Sequence, residues 1–157
     1  MRIVVFSDSH GASSQLEKII CEQKNVNHFF FLGDVLADIE DLRYLYPDKS
    51  FYSVAGNCDY FSTTNYEAVT TLCNVKIFFC HGHTLNVKHG LTLLEARAKN
   101  EGALIALYGH THCPAIDFKN DICFVNPGSV SRSRNGRNSY AVIDITDGKI
   151  TPTIVEI

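Results

Sequence analysis

Asp8 and His10, Asp34, Asn57 and Asp59, His81 and His83, and His110 and His112 fall in five short motifs, each at the end of an apolar run. The runs are Ile3 to Phe6, Phe29 to Leu32, Phe51 to Val54, Val75 to Phe79 and Leu104 to Leu107. Buried strands that end in carboxylate, imidazole and amide groups are how an α/β sheet gathers metal ligands at one rim. The chemistry this pattern predicts is metal-dependent hydrolysis with two metal ions.

Spacing sharpens the reading. Asp8 and His10 lie two apart, and in extended chain such residues face one side, so a single cation could accept both. His81-Gly82-His83 and His110-Thr111-His112 repeat the interval. Each residue alone has a plainer role: Asp34 as a helix N-cap, Asn57 beside Gly56 as a turn residue, a lone histidine as packing. Two histidine pairs at strand ends make coincidence a poor account of the set. Hard oxygens mixed with imidazoles, without thiolate, favour Mn²⁺, Fe²⁺, Ni²⁺ or Zn²⁺ over a structural zinc–thiolate site.

The elements that must position these groups follow from periodicity. Leu16, Ile19 and Ile20 predict a helix over Ser14 to Gln23, with Ser13 or Ser14 as N-cap and Glu17 completing a capping box. A second helix is expected from Ile39 to Tyr46, stopped by Pro47. Strands alternating with helices in this first third predict parallel pairing. Tyr66 to Leu72 and Val75 to Cys80 read as a hairpin around Cys73-Asn74, and Gly90 to Asn100 as a further helix before Gly102. The remainder reads as two hairpins, Ala115 to Phe118 with Ile122 to Val125, and Tyr140 to Ile145 with Ile150 to Glu156. The expected fold is α/β, a four-layer α/β/β/α sandwich of two mixed sheets flanked by helices, in one domain spanning residues 1–157.

Composition sets bounds. The 157 residues carry a net charge of −3, with 45% hydrophobic and 20% charged side chains, which gives no electrostatic footprint for duplex nucleic acid or an anionic membrane. A small phosphorylated substrate stays admissible, since bound cations supply positive charge locally. Met1 to Asp8 turns polar too soon for the ~7–15 apolar residues of a secretory leader, and no run approaches the ~18 of a membrane span. A cytoplasmic protein is expected, and homo-oligomerisation is left open. The six cysteines show no paired spacing and read as free thiols. Cys21, Cys73, Cys80 and Cys123 read as core residues, whereas Cys58 and Cys113 adjoin candidate ligands.

The ordered series D-x-H, G-D, G-N-C-D, H-G-H and G-H-T-H, running from Arg2 to about Arg134, resembles the calcineurin-like metallophosphoesterase superfamily, in particular its small bacterial and archaeal phosphodiesterase branch. The resemblance implies the same α/β/β/α sandwich. It implies that Asp8, His10 and His112 bind one metal, that Asn57, His81 and His110 bind a second, and that Asp34 bridges both. The cofactors implied are two divalent ions, Mn²⁺ first among them, then Ni²⁺, Fe²⁺ or Zn²⁺. Asn126-Pro127-Gly128-Ser129 matches a loop near the family's site, and Arg134 matches the arginine after it, with Ser133 where proline is common.

On that reading the reaction is hydrolysis of a small phosphate ester, a diester in preference to a monoester. A hydroxide bridging two cations ~3.5–4 Å apart would be the nucleophile, with Asn57 and Arg134 on the phosphoryl oxygens. Most superfamily members carry histidine where Cys58 stands, and that histidine protonates the leaving group or contacts the phosphate. A thiol beside a dication is easily ionised and a poor proton donor. His83, Asp59 and Cys113 read as groups that orient ligands, and His28 and His89 as packing or solvated residues. The alternative is a protein-interaction scaffold like the retromer subunit that shares this fold, with vestigial or no catalysis. A nucleotide-cofactor protein is set aside, because no G-x-G-x-x-G follows the first strand.

Overall fold

The run Ile3-Val4-Val5-Phe6 is buried on both faces, as a parallel strand covered by two layers requires. A computed structural model describes residues 1–157. It places this run in β1 (Arg2–Phe6) at the centre of a five-stranded sheet ordered β10-β9-β1-β2-β3. β2 (His28–Phe31) and β3 (Ser50–Ser53) run parallel to β1; on its other side β9 (Ser139–Thr146) pairs antiparallel with β1, and β10 (Lys149–Glu156) pairs antiparallel with β9. The second sheet, ordered β4-β5-β6-β8-β7, has parallel β5 (Val75–Cys80), β6 (Ile105–Leu107) and β8 (Ile122–Asn126). Antiparallel β4 (Glu67–Leu72) and β7 (Ala115–Lys119) form its edges.

Three apolar layers separate four structural ones. Val5, Phe30 and Ile143 meet Ile77, Phe79, Ile105 and Val125 between the sheets. On the outer face of the first sheet, Phe6, Phe29 and Phe31 receive Leu16, Ile19 and Ile20 of α1 (Ser13–Glu22) and Ile39 and Leu42 of α2 (Ala37–Leu45). On the outer face of the second, Phe78, Ala106 and Phe124 receive Leu94 and Ala98 of α3 (Thr92–Asn100). This is the expected α/β/β/α sandwich. No helix is long and apolar enough to cross a membrane.

Local chemistry explains the turns. Cys73 and Asn74 both take positive φ (47° and 61°), as do Asn120 and Asp121 (51° and 62°) and Asp147 and Gly148 (51° and 78°). A two-residue hairpin whose twist matches its strands demands this conformation. Two expectations are corrected. Helix α1 has Ala12 at its N-cap with no side-chain cap; Ser13 and Ser14 are exposed inside the first turn, because the Ser9 carbonyl already binds the Ala12 N–H and leads the chain straight into the helix. Cys21 and Cys73 are exposed, not core, one on the outer side of α1 and one in a hairpin turn. All six cysteines are free.

Phe30 stacks on Tyr52 at 4.7 Å and meets Phe79 edge-on at 5.1 Å, joining the two sheets beneath the site. Phe30→Ala should cost about 3–5 kcal/mol by urea denaturation, whereas Tyr44→Ala, at an exposed ring, should stay within about 0.5 kcal/mol.

Candidate metal centre

Every motif lies just past the C-terminal end of a strand, and both sheets end at the same rim. Asp8 follows β1, Asp34 follows β2, Asn57 follows β3, His81 follows β5, and His110 and His112 follow β6. The loops are tied to one another: the Asp8 N–H donates to the Gly33 carbonyl, Gly109 to that of His81, and His110 to Asp8 Oδ2. Asp8, His10, Asp34, His110 and His112 all adopt left-handed backbone, with φ of 55°, 45°, 63°, 67° and 60°. Asp8 and His10 therefore converge by tight turning, not by the extended alternation expected from their spacing, whereas His110 and His112 turn to different groups. Each such residue costs roughly 1–2 kcal/mol, and backbone strain of this kind gathers at functional sites.

Asp8, His10, Asp34 and His112 offer ligand atoms all within 4.8 Å of one another. His112 Nδ1 lies 2.8 Å from the Arg132 carbonyl and His81 Nδ1 lies 2.7 Å from that of Leu32. A carbonyl only accepts, so both rings carry their proton on Nδ1 and turn a bare Nε2 into the site. His112 Nε2 faces His10 Nε2 at 3.4 Å and Asp8 Oδ1 at 3.2 Å. Asp8 Oδ1 is buried and accepts no hydrogen bond.

A second group sits beside the first. His81 Nε2 faces Asn57 Oδ1 at 3.1 Å and His110 Nδ1 at 3.2 Å. Asp34 stands between the groups, with Oδ2 3.7 Å from His10 Nε2 and Oδ1 3.5 Å from His81 Nε2. A nitrogen lone pair pointed at an amide oxygen, and a buried carboxylate oxygen left bare, cost free energy unless a cation lies among them. The residues present thus fit divalent metal ions.

The frame around these groups comes from Asp59, which reads in sequence as a residue that orients ligands, and from Asp38, whose part was not evident there. The Asp59 carboxylate accepts four backbone N–H groups, from Asp34, Val35, Leu36 and Gly56, at 2.8–3.1 Å. It fixes the segment in which Val35, a β-branched residue, takes φ 77°. Gly56 is obligatory, since a Cβ there would strike the Asp34 backbone and carboxylate. Asp38, which reads in sequence as an ordinary acid in the first turn of a helix, accepts from Ser9 Oγ and the Gly11 N–H and steadies the His10 turn. In the loop flagged by resemblance, Asn126 holds Gly109 and Thr111 while Ser129 Oγ donates to the Asp8 carbonyl.

Electrostatics follow from burial and neighbours. Burial alone would raise Asp8, but His112 and His81 outweigh it and hold the carboxyl below the usual range. Burial, with His81 and Lys88 nearby, depresses His110 to about 4, so its ring is neutral near pH 7 and free to act as a ligand. Cys58 is exposed, yet partial burial and the facing Asp34 carboxylate push its thiol up to about 11. The protein's own groups therefore disfavour the ionised thiol expected from sequence; bound cations act in the opposite sense. Its backbone N–H donates to Asp34 Oδ1 at 2.9 Å.

Arg134 is exposed at the mouth, its backbone N–H bonded to the His112 carbonyl. Two cations not singled out from sequence, Lys88 and Arg132, line the same cavity; neither belongs to a motif. His83 does not orient a ligand by hydrogen bond: its buried Nδ1 has no partner, and its ring packs edge-on against Tyr66. The Cys113 backbone engages Thr111 Oγ1. His28 bonds Tyr52, and His89 is exposed.

Residues 1–148 match the sequence profile described as the calcineurin-like phosphoesterase superfamily domain. The chain belongs to that superfamily. As a calcineurin-like phosphoesterase it is a hydrolase acting on phosphate esters, with a candidate metal site at Asp8, His10, Asp34 and His112. It is 29% identical over 154 residues to the probable metallophosphoesterase YsnB of Bacillus subtilis, covering 96% of this chain and 88% of that one. It is 27% identical over 170 residues to phosphodiesterase YfcE of Escherichia coli, covering 92% and 88%. A predicted phosphoesterase from Streptococcus pneumoniae superposes with a TM-score of 0.86 at 31% identity, covering 99% of this chain and 88% of its own. The likeness to Vps29 of Entamoeba histolytica, TM-score 0.76 at 20% identity over 99% of both chains, is one of fold.

Asp59 touches no candidate ligand atom on the metal side, so its contribution is separable. Asp59→Ala leaves four N–H groups unpaired and should weaken Mn²⁺ affinity about 10–100-fold, read by calorimetric titration, with a lowered melting temperature. Affinity equal to wild type would mean that Asp34 needs no such frame.

Proposed function

We propose that residues 1–157 form one metallophosphoesterase domain that hydrolyses small phosphodiesters with two divalent ions, Mn²⁺ foremost. In this reading Asp8, His10 and His112 hold one ion, Asn57, His81 and His110 hold the other, and Asp34 holds both. The observation that carries it is the facing of the two Asp34 oxygens toward different imidazoles, His10 and His81. When bound, such ions supply Lewis acidity and lower the pKa of water at the site toward neutrality.

The chain's own groups do the rest. Arg134 and the Asn57 amide meet the non-bridging oxygens, where charge grows as the departing oxygen leaves. The backbone N–H of Cys58 keeps Asp34 oriented. The Cys58 side chain borders the cavity but is a weak proton donor at neutral pH, so the leaving oxygen departs with little proton assistance. That favours diesters and esters with good leaving groups over alkyl monoesters. The name of phosphodiesterase YfcE supports the same preference. A scaffold of the Vps29 kind is the lesser reading, because a scaffold has no need of a complete set of donors. A cytoplasmic location accords with free thiols.

Metal analysis on protein loaded with Mn²⁺ should approach two ions per chain. Asp34→Asn should lower turnover by more than the roughly 10–100-fold typical of an outer partner, while His28→Ala leaves it nearly unchanged. One ion per chain at saturation, or equal losses in both variants, would sink the dinuclear reading.

The diester preference has its own measurement. General acid help is worth about 10²–10⁴-fold, so Cys58→His should raise kcat/KM on an aryl monoester relative to the matching diester at saturating Mn²⁺. A wild type that already favours the monoester, or a ratio the substitution leaves unmoved, removes Cys58 as its determinant.

A further inference from the structure

Holding cations accounts for the histidines and carboxylates of the cavity but not for Lys88, Arg132 and Arg134 on its walls. Seven of the fourteen lysines and arginines pair with a carboxylate of the protein. Three of the other seven line this one cavity, in a chain whose net charge is −3. Like charges gathered in a space of about 300 Å³ repel one another, and none of the three is paired with a carboxylate: the site's own acids, Asp8 and Asp34, face the imidazoles instead.

Their placement is two-sided. Lys88 comes from the loop ahead of α3 and bears on His110, whereas Arg132 and Arg134 come from the loop between β8 and β9 and bear on His10 and His112. A phosphodiester carries a single negative charge, which Arg134 and the ligand-held ions already meet. Cys58 is the one weakly polar side chain in the lining, and no aliphatic or carbocyclic aromatic group joins it. Nothing in the cavity would grip a nucleobase or an acyl chain, so discrimination within it must come from charge.

We propose that Lys88 and Arg132 form a second anion subsite, and that the substrate is a phosphodiester bearing a further phosphate group close to the scissile one. The proposal rests on the phosphodiesterase reading above. A phosphate suits the pair: the arginine fork binds two of its oxygens at once, and the lysine adds a point charge. Lys88 and Arg132 are then specificity determinants, remote from the bond that breaks.

The test uses two chromogenic esters with the same reacting diester and leaving group: p-nitrophenyl thymidine 5′-phosphate, and the same compound bearing a 3′-phosphate. Wild type loaded with Mn²⁺ should favour the second by at least about tenfold in kcat/KM at low ionic strength, through KM, with the advantage shrinking as salt is added. Lys88→Gln and Arg132→Gln should each bring the ratio toward one. Lys149→Gln, at the hairpin turn at the opposite end of the first sheet, should leave the ratio as in wild type; an equal fall there would assign the effect to net charge and overturn the subsite. Calorimetry should show thymidine 3′,5′-bisphosphate binding wild type about tenfold tighter than thymidine 5′-phosphate, and Lys88→Gln erasing the difference. Equal hydrolysis of both esters by wild type would overturn the subsite and leave the phosphodiesterase reading standing. Hydrolysis of neither, with the bisphosphate still bound more tightly, would sink the phosphodiesterase reading alone.

Discussion

Around Asp34 a set of side chains ends in electron-pair donors that face one another at little more than van der Waals distance, and several of those atoms are shut away from water. Lone pairs so arranged repel, and an unsupported chain would relieve the crowding by rotating its imidazoles or letting water in. The rest of the molecule is arranged to prevent this. Two sheets bring their carboxyl ends to one line, carbonyls of Leu32 and Arg132 lock ring tautomers, and Asp59 pins the backbone beneath Asp34. Rigidity is here a precondition of affinity for a cation, since donors already held in place lose little entropy when the ion arrives.

This frame also decides which parts of the molecule were legible in the amino-acid sequence. The motifs that meet at the rim were, because histidine pairs and aspartates at the ends of wholly apolar runs seldom serve packing or solubility, and the sandwich was, because apolar runs alternate with helical spacing. The N-cap of α1 was not: Ser13 and Ser14 look like caps, but the Ser9 carbonyl had already fixed how the helix begins. The backbone of the ligands escaped notice too, since nothing in D-x-H or G-H-T-H distinguishes left-handed from extended residues. Asp38 sits where helix-forming acids commonly sit, and its work is visible only once the groups it accepts from are known; Asp59 was legible as a residue that orients ligands, but not the four backbone N–H groups through which it does so. Lys88 carries no motif at all; its nearness to His110 is a product of the fold.

The same contrast bears on the superfamily. Likeness at the level of architecture extends to Vps29, so the sandwich alone does not show what a chain does. What bears on cation binding in this chain is whether costly features are kept. Left-handed backbone at the candidate ligands, a β-branched residue at φ 77° and an orphaned buried carboxylate oxygen all lower stability, and a bound cation would give them a use. Their presence together is an argument from energetics that sequence identity below about a third cannot supply.

The pairing of β9 with β1 has a consequence for biosynthesis. Arg2 lies opposite Asp144 and Ile3 opposite Ile143, so β1 waits for β9, far along the chain, before its second edge is satisfied. Ser129, which ties down the Asp8 carbonyl, emerges just before β9. A nascent chain therefore exposes an apolar strand edge until β9 emerges, a state prone to mispairing and in need of protection. It cannot assemble the rim until β8 and the loop after it have been made. A shorter nascent chain would then offer a cation only part of the candidate ligand set.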